Sequence, residues 1–123
     1  MGREQFSNTV KVEWVDDDPR NMRLLEDVAF TDSKGKVWIA EADRIIDGAS
    51  IPRFFWRVIG SPFVGLYRRP SVLHDVHCET KEHESKDVHA MFLEAMIADG
   101  VPDEKAQIMY DAVRNWGPKW IVD

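Results

Sequence analysis

The hydrophobic positions of the chain change their spacing once, near Asp47. Before that point, apolar and polar residues alternate in short segments, as in β-strands with one buried face. KVEWV (11–15) alternates, and the apolar segments RLLEDVAFTD and VWIAEADRII flank the turn at 33–36. Two apolar segments joined by a short glycine-containing turn predict a β-hairpin. The DDDPRN segment is predicted to be a loop, because Pro19 and three aspartates disfavour strand pairing.

After Asp47, apolar residues recur three and four positions apart, which predicts amphipathic helices. Ser50 is expected to cap the first helix, with Pro52 in its first turn and the end near Gly60. The later helices are predicted from Pro70 to about Thr80, from Ser85 to Asp99, and from Pro102 to Trp116, the last with a buried stripe of Ala106, Met109, Tyr110, Val113 and Trp116. We therefore expect an α+β fold in one domain, 1–123, with antiparallel strands in 1–47 followed by three to four packed helices in 48–123.

Composition narrows the class of protein. The 123 residues include 44% apolar residues and five tryptophans, enough for a hydrophobic core, and one cysteine, which permits no internal disulfide. The net charge of −6 disfavours nucleic acid as a partner, because basic charge supplies most non-specific affinity. The first residues lack the apolar core of a signal peptide, and no apolar run is long enough for a membrane span.

The chemically richest stretch lies between Leu73 and Phe92, which holds all four histidines and the cysteine. His74 points away from the apolar stripe of its predicted helix, and Cys78 lies one turn further on. An antiparallel helix hairpin would bring Asp75 towards Asp87. We hypothesise a catalytic set of His74 as general base with Asp75 and Asp87 beside it. The alternative is that these side chains only form hydrogen bonds on helix surfaces.

A cofactor is not identified by this pattern, and a divalent metal ion is one open possibility. A hard cation would select the carboxylates of Asp75 and Asp47, whereas zinc would favour His74, Cys78 or His77. No three ligands are fixed by their spacing. We expect Cys78 to be a small packed residue, since nothing in the sequence lowers the pKa of its thiol.

The segment IIDGASIPRFFW carries a second candidate site. Turn chemistry alone accounts for Asp47-Gly48 and for Ser50 as a helix cap. The functional alternative is that the loop presents backbone N–H groups to an anion, with Arg53 beside it. Asp47, Ser50 and Arg53 are the predicted binding residues.

The segments DGASIPRFFW, HD, KDVHAMFLEAM and YDAVRNWGPKW together resemble the family catalogued as domain of unknown function 1353, found in bacteriophages, prophages and other bacterial genomes. The likeness covers about Phe30 to Trp120. The matching positions are Asp47, Gly48, Ser50, Pro52, His74, Asp75, Asp87 and Arg114. The resemblance implies an α+β domain in a phage or prophage setting and implies no reaction. A weaker analogy links His74, Asp75 and Asp87 to secreted phospholipases A2, although their calcium loop and disulfides are missing here.

Three functions stay open. The first is a phage-type accessory protein that binds a protein partner in the virion or the host cell, located in the host cytoplasm or the virion. The second is a small metal-assisted hydrolase with a His74–Asp75 centre. The third is structural: Asp47, His74 and Asp87 form a buried polar network that joins the DGAS loop to the helix pair. The substrate and the oligomeric state are unknown.

Overall fold

A computed structural model describes residues 5–6, 9–15, 21–59 and 65–122. It confirms the α+β class, with short antiparallel strands first and helices after them. The strands are β1 (Gln5–Phe6), β2 (Val12–Trp14), β3 (Met22–Leu24), β4 (Val28–Thr31), β5 (Val37–Ala40) and β6 (Ile45–Ile46). The helices are a 3-10 helix at Arg53–Phe55, α1 (Trp56–Ile59), a 3-10 helix at Gly65–Tyr67, α2 (Arg68–Thr80), α3 (Ser85–Ala98) and α4 (Asp103–Trp116).

The predicted hairpin is present, but each of its arms is split into two strands. β4 pairs with β5 and β3 pairs with β6 in one continuous register, so these pairs are two parts of a single long hairpin. The interruption falls at 25–27 and 41–44, where Asp43 has a φ of 73° and the Asp27 carboxylate accepts the N–H of Ala42 at 2.7 Å. The two halves belong to separate sheets, ordered β1-β4-β5 and β2-β3-β6.

Burial follows the predicted alternation in β3, β4 and β5, but not in β2, where Trp14 is 66% exposed. Val28 and Phe30 of β4 face the core, opposite Trp38 and Ala40 of β5. Residues 16–20 of the predicted DDDPRN loop lie outside the described residues.

Helix α2 lies between the strands and α3, and α3 in turn packs against α4. Because α2 is packed on both sides, against the strands and against α3, every residue from Pro70 to Cys78 is buried. A first apolar cluster joins the strands to α2 and α3, and a second joins α3 and α4 to Ile51, the residue after the DGAS segment at 47–50. No helix in the described ranges is long and apolar enough to cross a membrane.

Several helix predictions need correction. Ser50 does not cap a helix: the first helical turn begins after Pro52, with no side-chain cap, and the Ser50 hydroxyl bonds His74 instead. Helix α2 begins at Arg68, so Pro70 is its third residue, still in the turn whose N–H groups need no partner within the helix. Trp116, predicted to be buried in α4, is 64% exposed. The predicted helix end at Gly60 lies outside the described residues.

Candidate functional site

The DGAS loop, residues 47–50, is held against helix α2 by one carboxylate. Asp75 accepts the N–H of Asp47 at 3.0 Å with one oxygen and the N–H of Ser50 at 3.3 Å with the other. Within the loop, the Asp47 carboxylate accepts the N–H of Ala49 at 2.8 Å, and Gly48 has a φ of 75°, a conformation that favours glycine. Asp75 therefore fixes the loop over the buried face of α2.

Two histidines and a serine form a continuous line of hydrogen bonds beneath this loop. The Ser50 Oγ lies 2.9 Å from His74 Nδ1, and His74 Nε2 lies 2.8 Å from His89 Nδ1 on α3. The line ends where His89 Nε2 lies 2.9 Å from the carbonyl oxygen of Pro118, just after α4. The DGAS loop, α2, α3 and the segment after α4 thus meet at one line of hydrogen bonds inside the protein.

The Pro118 carbonyl fixes the direction of that chain. A carbonyl oxygen only accepts, so His89 donates from Nε2, and in a neutral ring its Nδ1 is then an acceptor. His74 must therefore donate from Nε2, which leaves Nδ1 to accept. Ser50 is the remaining donor to His74 Nδ1, although the Asp75 carboxylate also accepts from the Ser50 side chain and competes for the same proton.

Burial keeps both imidazoles neutral. His74 is fully buried, and burial, reinforced by the neighbouring His89 and His77, holds its pKa well below the ordinary value. Burial also lowers the pKa of His89, although its hydrogen bond to Pro118 opposes the shift. Neutral rings with a defined tautomer are the form in which histidine accepts a proton or binds a metal.

Two other groups of α2, Asp75 and Cys78, have pKa values that are raised. Burial raises the pKa of Asp75, and the charge of Asp47 adds to this, while hydrogen bonds from the loop oppose it. Burial and the charge of Asp75 raise the pKa of the Cys78 thiol well above its ordinary value. Cys78 is thus a packed, protonated residue, as expected.

A cavity of about 320 Å³ opens directly beside the line of hydrogen bonds. Its walls are formed by Asp47, Ala49, Ser50, Asp75, Cys78, Glu79 and Pro118. Three of these side chains carry carboxylates, so the cavity favours neutral or cationic ligands. A second cavity, of about 490 Å³, is lined by His89 together with Arg114 and Lys119.

The structure brings together four of the residues selected from the sequence and separates two others. Ser50, Asp47, His74 and Asp75 meet in the site. Asp87 is exposed on α3, where its N–H bonds the Glu84 carbonyl, and the residue of α3 that contacts His74 is His89.

Arg53 is also exposed and lies over the ring of Trp56, with 5.2 Å between the guanidinium carbon and the ring centroid. Its predicted role in anion binding, like the metal role predicted for Asp75 and Asp47, stays a prediction.

Sequence reasoning missed His89 and Pro118 as members of the site. The four-residue spacing of His74 and Cys78 indicated that these two side chains share one face of α2. It did not indicate that His89 of α3 would lie against that face. Cys78 Sγ lies 3.6 Å from His74 Nε2. The contribution of Pro118 is a backbone carbonyl, which no side-chain pattern reveals.

Comparison with known proteins gives a family without an assigned activity. The family model described as "Protein of unknown function (DUF1353)" matches residues 22–113. The chain is 43% identical over 119 residues to Uncharacterized protein y4jT and 30% identical over 118 residues to Uncharacterized protein y4iH, both of Sinorhizobium fredii. These matches cover 96% of the chain but only 35% and 49% of the two relatives, so the chain spans about a third to a half of their length. No solved structure matches the chain.

Proposed function

The chain belongs to the DUF1353 family, and because that name carries no activity, we propose a function from the site itself: a small hydrolase in which His74 is the general base for the Ser50 hydroxyl. The observation that carries this proposal is the 2.9 Å contact between Ser50 Oγ and His74 Nδ1. Its direction, from serine to histidine, follows from the Pro118 carbonyl at the far end of the line. A serine beside a correctly oriented histidine is the usual arrangement of an activated nucleophile.

The proposed reaction is hydrolysis of an ester or amide by way of an acyl-serine. Ser50 Oγ attacks the carbonyl carbon of the substrate while its proton passes to His74 Nδ1. His74 can release its Nε2 proton to His89 Nδ1, so the positive charge is shared between two rings. The proton returns to the leaving group, and water, deprotonated by His74, then hydrolyses the acyl-serine.

The cavity supports a neutral or cationic substrate. Ser50 contributes to its wall beside the carboxylates of Asp47, Asp75 and Glu79. A substrate anion would meet like charge there, whereas a cationic group would be attracted. Asp75 is a positioning residue, because it holds the loop that carries Ser50.

Four of the five N–H groups at 47–51 are not available to form an oxyanion hole. The N–H groups of Asp47, Ala49, Ser50 and Ile51 are all engaged in hydrogen bonds within the fold. Preformed donors at this position supply a large part of the rate in serine hydrolases. We therefore expect slow turnover, and covalent modification of Ser50 is a better first test than a substrate assay.

The first prediction is that a fluorophosphonate probe labels Ser50. Peptide mapping by mass spectrometry should place the adduct on Ser50 in the wild-type protein, with none in S50A and much slower labelling in H74N. Ser71→Ala is a matched control. Ser71 is buried on α2, the helix that carries His74, but its hydroxyl has no partner among the described residues. Labelling that is equal in H74N, or that maps to Ser71, would rule out His74 as the base for Ser50.

A second candidate function, binding of a protein partner in a virion or host cell, is favoured by one surface feature. Phe54 and Trp116 pack edge to face, with 5.7 Å between ring centroids, while 55% and 64% of these residues stay exposed. Exposed aromatic pairs are common at interfaces. A bacteriophage or prophage setting for this partner is part of the proposal.

A photo-crosslinking amino acid at position 116 tests partner binding as the second prediction. In lysate from phage-infected host cells, we expect an adduct of one defined mass. The same amino acid at the exposed Lys105 on the same helix is the control. Identical adducts from both positions, or none from position 116, would exclude this surface as the interface.

A further inference from the structure

Three potential metal ligands converge at the point where helices α2 and α3 touch. We propose that Cys78, His74 and His89 bind a thiophilic divalent cation of the Zn²⁺ class. Their ligand atoms all lie within 4.8 Å of one another, and all three residues are buried. Neither the proposed hydrolysis nor the family match requires this site, so it stands independently of both.

The ligand atoms lie near the positions of a tetrahedral zinc site but have to shift to reach them, because Cys78 Sγ is also 3.8 Å from His74 Nδ1 and the three ligand atoms are spread over up to 4.8 Å. Zinc bonds of roughly 2.0–2.1 Å to nitrogen and 2.3 Å to sulfur place the ligand atoms of neighbouring His and Cys about 3.6 Å apart, and two His nitrogens about 3.3 Å apart. Cys78 Sγ lies 3.6 Å from His74 Nε2. His74 Nε2 and His89 Nδ1 lie 2.8 Å apart, so the two rings need to separate by only about half an ångström.

The fold places these three ligands next to one another in the metal-free protein. His74 and Cys78 are one helical turn apart on α2, the spacing by which a helix commonly presents two metal ligands. His89 projects from the neighbouring α3. The ring of Phe92 packs on His74, with 4.4 Å between centroids, and limits its rotation.

The groups behind the ligands also fit a metal. Metal-binding histidines usually donate their second ring N–H to a carbonyl or another oxygen, which orients the ring. His89 already offers its Nε2–H to the Pro118 carbonyl. His74 has the Ser50 oxygen 2.9 Å from its Nδ1, and this hydroxyl can accept as well as donate.

Charge supports binding too. Two neutral histidines and one thiolate leave a single positive charge on a divalent ion, and the nearby Asp75 carboxylate balances it. Because sulfur binds a metal as the thiolate, metal binding must release the Cys78 proton. Cys78 lines the cavity of about 320 Å³, which gives the ion a route from solvent and a place for a fourth ligand.

A bound metal would replace the hydrogen bond between the two histidines and reverse the one between His74 and Ser50. With His74 Nε2 on the metal, its proton lies on Nδ1 and is donated to Ser50, so Ser50 no longer donates to His74. The metal-bound and the hydrogen-bonded states are therefore alternatives. Ser50 chemistry belongs to the metal-free state alone.

The third prediction is that the protein binds Co²⁺ and Zn²⁺ through Cys78, His74 and His89. It is tested by titrating the reduced, tag-free full chain with Co²⁺ and then with Zn²⁺. We expect the intense visible bands of tetrahedral Co²⁺ together with a thiolate-to-cobalt charge-transfer band, both removed by Zn²⁺. Cys78→Ser and His89→Gln should each weaken binding by at least about 10–100-fold, since even changes behind the ligands cost that much. Ser50→Ala removes a hydrogen-bond partner of His74 but no ligand, so it should weaken binding and still show the charge-transfer band.

Two outcomes would overturn the site. One is the absence of a charge-transfer band in the wild-type protein while circular dichroism shows that it is folded. The other is Co²⁺ binding of equal strength in the wild-type protein, C78S and H89Q. Because S50A removes the proposed nucleophile and C78S removes the proposed ligand, failure of the hydrolase and failure of the metal site give different results.

Discussion

Two buried carboxylates, Asp32 and Asp75, each hold a loop by accepting backbone N–H groups, yet their surroundings differ. Asp32 accepts from Lys34 and Lys36 at 2.9 Å in its own hairpin turn, and from the indole of Trp38 at 3.1 Å. Asp75 accepts from a loop 25 and 28 residues earlier in the chain. The first carboxylate organises its immediate neighbours, and the second joins distant segments.

The pKa values of the two groups move in opposite directions. Burial opposes ionisation of Asp32, but hydrogen bonds from Trp38, Lys36 and Lys34 outweigh it and lower its pKa. Burial raises the pKa of Asp75, and the charge of Asp47 raises it further. Asp32 is therefore stabilised in its charged form, as structural carboxylates usually are. Asp75 is held at an electrostatic cost beside a cavity, which is typical of functional sites.

The largest effect expected from this comparison is that of Asp75→Ala. The change leaves the N–H groups of Asp47 and Ser50 without their partner, and unpaired buried groups cost about 1–3 kcal/mol each. We expect the free energy of unfolding to fall by about 2–4 kcal/mol in a denaturant titration. Fluorophosphonate labelling of Ser50 should be lost in the protein that remains folded, because the loop no longer holds Ser50 against His74.

Asp32→Ala is the matched control for this fourth prediction. It removes three hydrogen bonds, but the turn is near the surface, where water can replace part of them. We expect a loss of about 1–2 kcal/mol and unchanged labelling of Ser50. Equal loss of labelling in both variants would mean that Asp75 acts only through global stability.

The contrast between local and distant contacts also explains what the sequence could predict. The hairpin was predictable because the Ser33–Lys36 turn and the alternation of Val28 and Phe30 act over a few residues. The α+β class and the bounds of α3 and α4 followed from helical periodicity and from glycine and proline at the ends. The split of the hairpin was missed because it depends on which sheet each half joins.

The site was predictable only in part. His74, Asp75, Ser50 and Asp47 were identified by residue type, but the partner of His74 was expected to be Asp87. On a helix, two residues correspond to a rotation of about 200°, so Asp87 and His89 point to nearly opposite faces of α3. The prediction placed the wrong face of this helix against His74, and Asp87 lies on the exposed side. For Ser50, local turn chemistry favours a helix cap, whereas the tertiary contact with His74 determines where the hydroxyl points.

The smallest expected effect is on the pH dependence of stability, the fifth prediction. Both carboxyls have an ordinary pKa of 3.8, which we take for the unfolded chain. Asp32, with a lowered pKa when folded, contributes stability that is present above 3.8 and is lost as pH falls through its folded pKa. Asp75, with a raised pKa, costs stability at neutral pH, and this cost disappears as pH falls from its folded pKa to 3.8.

Denaturant titrations of wild type, D32N and D75N from neutral pH down to about pH 3 would measure these signs. The destabilisation caused by D32N should be greatest at neutral pH and shrink in acid, whereas that caused by D75N should be smallest at neutral pH and grow in acid. The acid sensitivity of the buried histidines, including His77, whose pKa is lowered by burial to about 4, is common to all three proteins and cancels in the differences. If both differences change with pH in the same direction, the two carboxylates are electrostatically equivalent, and Asp75 has no special place in the site.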